Sequence, residues 1–213
     1  MNFLPPEIED YALKNSDAES DVLKKLNRET QLKMTMPQML SGHMQGLMLQ
    51  MFSKMIRPHN ILEIGTFTGY SAICLAAGLQ EGGKLHTIDV NEEFEEMILR
   101  YIKEAGLESK IRLHIGSAVN IIPTLKEEFD LVFIDADKEN YSTYYDLVFP
   151  KVKQGGYIIA DNVLWSGKIL NSAMKMDFET KSLFEYSRKI QGDSRVENVL
   201  LPLRDGLMIA RKR

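Results

Sequence analysis

Three stretches of the chain hold residue types whose spacing suits chemistry. The first, Glu63-Ile64-Gly65-Thr66-Phe67-Thr68-Gly69-Tyr70-Ser71, follows an apolar run and opens a helix-like segment. Glycines at such a point let the backbone turn sharply and let a ligand approach main-chain atoms, at the strand ends where open α/β sheets bind ligands. The Gly-x-x-x-Gly spacing is neither the dinucleotide pattern G-x-G-x-x-G nor a P-loop, which needs Gly-Lys-Ser/Thr. Alone it is as compatible with a plain tight turn as with a ligand site. The second is Asp89, which ends an apolar run 20 residues past Gly69. An acid at the tip of a second strand can accept both ribose hydroxyls of an adenosine-containing ligand, and capping a helix from Asn91 is its competing role. Together the turn and the acid point to a nucleoside cofactor.

The third comprises Asp135-Ala136-Asp137-Lys138 and Asp161-Asn162, each directly after a buried apolar run. Both groups then project from the same edge of a sheet. Asp135, Asp161 and the side-chain carbonyl of Asn162 offer three hard oxygen ligands, which suit Mg²⁺, Ca²⁺ or Mn²⁺ rather than zinc. Either acid alone reads more simply as a helix cap or turn residue. Their pairing at one rim favours a metal.

Positioning these groups requires strands that end level and helices that return the chain. Short apolar runs at Ile61–Ile64, Leu85–Ile88, Ile111–Ile115, Leu131–Ile134 and Tyr157–Ala160 alternate with segments of mixed polarity. Runs apolar on both faces and alternating with helices indicate a parallel sheet covered on both sides, with right-handed crossovers. Val196–Leu201, a Pro202–Gly206 loop and Leu207–Arg211 read instead as an antiparallel hairpin, giving seven strands. Residues 1–58 read as a helical extension and 59–213 as a Rossmann-like core, together one domain. Pro5 and Pro6 open a first helix, and Asp17 or Ser20 caps a second through Leu23 and Leu26. Leu40, Met44, Leu47, Met48, Met51 and Met55 recur at spacings of three and four in a third, ended by Pro58, and this stripe is expected to be core.

With 213 residues, 44% of them hydrophobic, the chain suits a single α/β domain. A net charge of −4 gives no global attraction to nucleic acid or an anionic membrane. The single cysteine, Cys74, excludes an intramolecular disulfide and is expected to be buried. MNFLPPEIEDY lacks the basic and apolar regions of a signal peptide, no run is long enough to span a bilayer, and a cytoplasmic location is expected. His43, His59, His86 and His114 lack ligand spacing, and His86 and His114 read as structural residues of strands. The charged stretch 91–104 reads as a helix with Phe94, Met97, Ile98 and Ile102 inward.

EIGTFTGYS, TIDVN, FIDADKENY, ADNVLWSG and LPLRDGLMIARK occur in the order and spacing of cation-dependent O-methyltransferases. From about Met34 to the C-terminus the chain resembles the caffeoyl-CoA and catechol O-methyltransferase group, class I enzymes that use S-adenosylmethionine (SAM). That resemblance implies a seven-stranded, mostly parallel sheet in the order 3-2-1-4-5-7-6. It places Glu63, Gly65, Thr66, Ser71, Asp89, Ala118, Asp135, Asp137 and Tyr144 around the cofactor, with Ser41 near its methionine end. It makes Asp135, Asp161 and Asn162 the ligands of a divalent cation, most simply Mg²⁺. Lys138, beside Asp135, matches the lysine proposed as general base for the acceptor hydroxyl, with a solvated surface lysine as the alternative. The acceptor implied is a catechol-like vicinal diol, a caffeoyl-type phenolic among the options, and the assembly implied is a homodimer.

The chain departs from the plant enzymes at Ser166, where they have Asn, and over Val163–Lys181, which matches no substrate-specific pattern. Pro123 and Phe129 are also too close to hold a long insertion. The other readings open to the residues are a nicotinamide-dependent oxidoreductase using Asp89 for ribose, and a non-catalytic module that binds a nucleoside cofactor.

Overall fold

The structure, a computed structural model, describes residues 5–213, so the first four residues of the expected helical extension lie outside the described part. Seven strands form one sheet in the order β3-β2-β1-β4-β5-β7-β6, as the resemblance implies. They are β1 (Asn60–Ile64), β2 (Lys84–Asp89), β3 (Ile111–Ile115), β4 (Phe129–Ile134), β5 (Val152–Ala160), β6 (Val196–Leu201) and β7 (Leu207–Lys212). The first five run parallel, and β7 is antiparallel to both β5 and β6. Around the sheet lie α1 (Pro6–Lys14), α2 (Asp21–Lys33), α3 (Gly42–Ile56), α4 (Tyr70–Ala76), α5 (Glu95–Glu104), α6 (Ala118–Ile121), α7 (Tyr141–Val148) and α8 (Phe178–Gly192). Among the described residues no helix is long and apolar enough to cross a membrane.

Alternation along the strands splits the core in two. Leu62, Ile64, Val132 and Ile134 face Tyr141, Tyr145, Leu183 and Tyr186 of α7 and α8. Ile61, Leu85, Leu131 and Phe133 face the other layer, where Leu26 of α2, Leu49 of α3, α4 and α5 pack. Strand β5 begins five residues before its apolar run, because Gly155 at φ +79° and Gly156 let the chain bend into pairing beside an irregularity in β4.

Ser20, not Asp17, caps α2, accepting a hydrogen bond from the Leu23 amide. The methionine stripe is a correction. The buried residues of α3 are Gln45, Gly46, Leu49 and Ser53, whereas Met51 and Met55 are 55% and 73% exposed. Small residues win this face because α3 and α4 approach too closely for methionine. A methyl added at Gly46 would lie 2.6 Å from the Tyr70 ring and 2.9 Å from Cys74 Sγ, and one at Gly78 would meet the Ser53 backbone. Cys74 is buried in this seam.

Gly46→Ala tests the seam. Alanine gains about 0.5–1 kcal/mol of helix propensity, but overpacking of this kind costs about 1–3 kcal/mol. We expect thermal unfolding several degrees lower. A Tm at or above that of the wild type would show that α3 lifts away freely.

Candidate active site

Register brings the chemistry to one rim. Ile64 pairs with both Ile88 and Ile134, and Ile134 pairs with Ala160, so β1, β2, β4 and β5 end level. The ladder continues one residue further: Gly65 N–H donates to Ile88 O, Asp135 N–H to Ile64 O and Asp161 N–H to Ile134 O, each at 2.9 Å. Gly65 and Asp135 cross so closely that a methyl on Gly65, which has φ +97°, would lie 2.0 Å from the Asp135 carbonyl oxygen.

On one side of the rim, Asp89 ties down the turn after β1. Its Oδ2 accepts the amides of Thr66 (3.0 Å) and Phe67 (2.7 Å), and its Oδ1 accepts that of Asn91 (2.9 Å). Asn91 caps the following turn with its own side chain, so Asp89 is not that cap. Glu63 is fully buried, accepts a hydrogen bond from Thr87 at 2.5 Å and leaves Oε1 without a partner. Burial pushes its carboxyl up to about 8, against the opposing pull of the Ser71 and Thr87 hydroxyls. Ser41, Thr66, Ser71 and Ala118 are buried. Tyr144 donates to the exposed Asp137, which also accepts from Asn140. An acidic strand tip and a buried carboxyl with one oxygen unpartnered suit the diol and amino donors of a nucleoside cofactor.

The other side is built on charge. Lys138 is buried rather than solvated, and its ammonium donates to Asp135 Oδ1 (3.0 Å), Tyr141 Oη (2.8 Å) and Asn162 Oδ1 (2.9 Å). Tyr141, fully buried, donates a hydrogen bond to the Asp161 carbonyl at 3.0 Å. Asp161 is 3% exposed, with Oδ1 on the Asn162 amide and Oδ2 on Gln45 Nε2. Burial, reinforced by the Asp135 charge, pushes its carboxyl up. Asn162 adopts φ +59°, a left-handed conformation that asparagine tolerates best among residues with a side chain. Among the described residues no group of three or more His, Cys, Asp and Glu is arranged for a metal. A cation here would therefore rely on two carboxylates and one amide. That all-oxygen set fits a hard divalent ion, and the Lys138 ammonium, in reach of two of its members, shows that the pocket already accommodates positive charge.

Structure thus gathers Gly65, Asp89, Asp135, Asp161 and Asn162 at a single edge and places Lys138 among them. Sequence reasoning missed Tyr141, Gln45 and Arg204. Tyr141 ends the FIDADKENY motif and was legible there. Gln45, inside an apolar helix, and Arg204, in the hairpin loop, carry no local signal. His86 and His114 stack at 5.3 Å within the sheet, away from this chemistry.

A parallel sheet closed by an antiparallel hairpin, with its acidic rim, defines the class I methyltransferase fold. The O-methyltransferase family model matches residues 13–213, and the chain belongs to that family. It is 34% identical to caffeoyl-CoA O-methyltransferase 2 of Populus trichocarpa over 205 residues, covering 91% of this chain and 83% of the relative. To caffeoyl-CoA O-methyltransferase 1 of Eucalyptus globulus it is 35% identical, covering 79% and 72%. The O-methyltransferase of Bacillus cereus in complex with SAH superposes with a TM-score of 0.90 at 26% identity, covering 97% of each chain. TomG of Streptomyces achromogenes, an O-methyltransferase solved with SAM, gives 0.89 at 27%, covering 97% and 96%. The protein is a SAM-dependent O-methyltransferase of the caffeoyl-CoA type. Nothing in these likenesses supports a nicotinamide oxidoreductase or a non-catalytic module.

Glu63 gives the site a pH signature. Its folded pKa lies above the unfolded value of 4.5, so the native state holds the extra proton and stability falls as pH rises from about 4.5 to 8. Glu63→Gln mimics the protonated form. Its stability relative to the wild type, from denaturant unfolding at pH 5, 7 and 8.5, should improve steadily over that interval and level off above it. A pH-independent difference would place the Glu63 titration elsewhere.

Proposed function

We propose that the enzyme methylates one hydroxyl of a catechol-like vicinal diol on a small phenolic acceptor, caffeoyl-type compounds included, with a divalent cation, most simply Mg²⁺, held by Asp135, Asp161 and Asn162. The observation that carries this reading is the Lys138 ammonium lodged against the Asp135 and Asn162 side-chain oxygens, beside a buried second carboxylate. When bound, the cation supplies Lewis acidity to a vicinal diol and SAM supplies the electrophilic methyl group.

The chain's own residues do the rest. Asp89 accepts the ribose hydroxyls, with Glu63, Gly65, Thr66, Ser71, Ala118, Asp135, Asp137 and Tyr144 around the cofactor and Ser41 toward its methionine end. Lys138 sits where the acceptor hydroxyl must lose its proton. As an ammonium it steadies the phenolate, and once it has released a proton to bulk water it takes the acceptor's. Fixing acceptor and methyl group in line is the larger contribution, because methyl transfer needs little covalent help from the protein. All of this lies in one domain, 1–213, in a cytoplasmic setting where no nucleic acid or membrane partner is needed.

Asp161→Ala should lose most methyl transfer while SAM affinity stays within about threefold of the wild type, since cofactor contacts lie across the rim. Asn162→Ala should lose less, because water replaces a neutral carbonyl better than a carboxylate. EDTA should reproduce the Asp161 defect, and added Mg²⁺ should reverse it. Full activity in chelated protein would remove the cation from the reaction and leave Lys138 alone to activate the acceptor.

A homodimer is supported by the outer faces of the helical extension. Leu32, Met36, Met39, Met51 and Met55 are each more than half exposed there, an apolar surface larger than a lone appendage needs. Light scattering at micromolar concentration should give twice the mass of the 24.3 kDa chain. A monomeric mass would overturn the dimer.

A further inference from the structure

Gln45 is 2% exposed on the face of α3 that lies against α4, and both ends of its amide are engaged. Nε2 donates to Asp161 Oδ2 at 2.5 Å, and Oε1 accepts from Arg204 Nη1 at 2.6 Å. These partners are 116 and 159 residues away in sequence, one at the end of β5 and one in the β6–β7 loop. An arginine can only donate and a carboxylate can only accept. The amide between them therefore has one orientation, with its oxygen toward Arg204 and its nitrogen toward Asp161.

The other holds on Asp161 come from close by. Its main-chain N–H bonds to β4, its carbonyl accepts from Tyr141, and Oδ1 takes the next residue's amide. Among the described residues only Gln45 fixes the second carboxylate oxygen, and so sets the rotation of the carboxylate plane. Two features hold Gln45 at this height. The Gly46 seam sets how far α3 stands from Tyr70 and Cys74, and Arg204 is held by a loop stapled to the segment after β5. In that staple Leu164 N–H donates to Asp205 O and Ser166 N–H to Asp205 Oδ1. Arg204 itself has φ +50°, a left-handed backbone disfavoured for arginine, and Gln45 is its one hydrogen-bond partner among the described residues.

We propose that Gln45 is a positioning residue for Asp161, orienting its carboxylate toward a bound cation, and that Arg204 locks the Gln45 amide in the direction this requires. Two parts of the fold outside the parallel sheet, the helical extension and the terminal hairpin, thereby act jointly on one ligand of the cation. The inference rests on the cation site proposed above.

The test is calorimetric titration of Mn²⁺ into the full-length wild type, Gln45→Leu and Arg204→Gly, with the Tm of each recorded in chelator and in saturating Mn²⁺. Loss of a group that orients a metal ligand weakens metal affinity about 10- to 100-fold. We expect a weakening of that size in both variants, and a smaller Mn²⁺-induced rise in Tm at fixed concentration. Arg204→Gly relieves the left-handed backbone as it removes the hydrogen bond to Gln45, so its Tm in chelator should stay close to the wild type while its affinity falls. A purely structural role predicts the opposite, a lower Tm in chelator with Mn²⁺ affinity unchanged, and that result would overturn the proposal. If the wild type itself binds no Mn²⁺, the cation site fails and the orienting role falls with it. If the wild type binds and both variants bind equally well, the site stands and the Gln45–Arg204 relay alone is wrong.

Discussion

Level strand ends are the constraint on which the site depends. In a parallel sheet every strand delivers its C-terminal residue to the same edge, but only matched register delivers them at the same height. Here Ile64, Ile88, Ile134 and Ala160 are mutually in register, and the next residue of each strand is Gly65, Asp89, Asp135 or Asp161. A slip of one residue would exchange the side chains that each strand presents to the two packed layers, so the core that buries Leu62, Val132 and their neighbours also holds the rim in place. Packing fixes the chemistry here, and Tyr141 belongs to both, buried in the core with its hydroxyl on Lys138 and the Asp161 carbonyl.

The same rim concentrates negative charge in a poorly solvated place. Asp135 and Asp161 end adjacent strands, and the upward push on the Asp161 carboxyl comes first from its burial and then from the Asp135 charge. The protein answers with one buried cation, Lys138, and with neutral donors from Gln45, Tyr141 and the Asn162 amide. Against two carboxyls stands one ammonium, so full ionisation of both acids would need a further positive charge. That imbalance is a stronger argument for a hard cation than any one oxygen ligand, since buried carboxylates are tolerated only where charge or hydrogen bonds compensate them.

Much of this was legible in the residues. The five parallel strands stand out because buried strands read as apolar runs, and the hairpin stands out because Pro202–Gly206 is too short for a crossover. Asp89, Asp135 and Asp161 were visible for the same reason, as acids directly after apolar runs. Periodicity misled at α3. It reports that an apolar stripe exists but not that a stripe of smaller residues, Gly46 and Ser53, allows closer approach and so takes the interior. Lys138 was ambiguous because nothing local tells a lysine that pairs across 24 residues, as it does with Asn162, from one in solvent.

What could not be read locally is also what separates this chain from a generic cofactor-binding sheet. Cofactor-side groups follow from strand ends, and strand ends follow from hydrophobic pattern, so a short window of sequence contains both. Gln45 meets Asp161, and Arg204 meets Gln45, only because three elements with no sequence proximity converge, and each of those contacts was closed by the fold as a whole. Position in such a network depends on how closely α3 lies on α4, which a glycine decides, and on a loop that holds an arginine in a left-handed conformation. The helical extension is therefore not an accessory to the sheet. The exposed Met51 and Met55 and the buried Gln45 share one helix, so any partner that covers the former presses on the element that holds the latter.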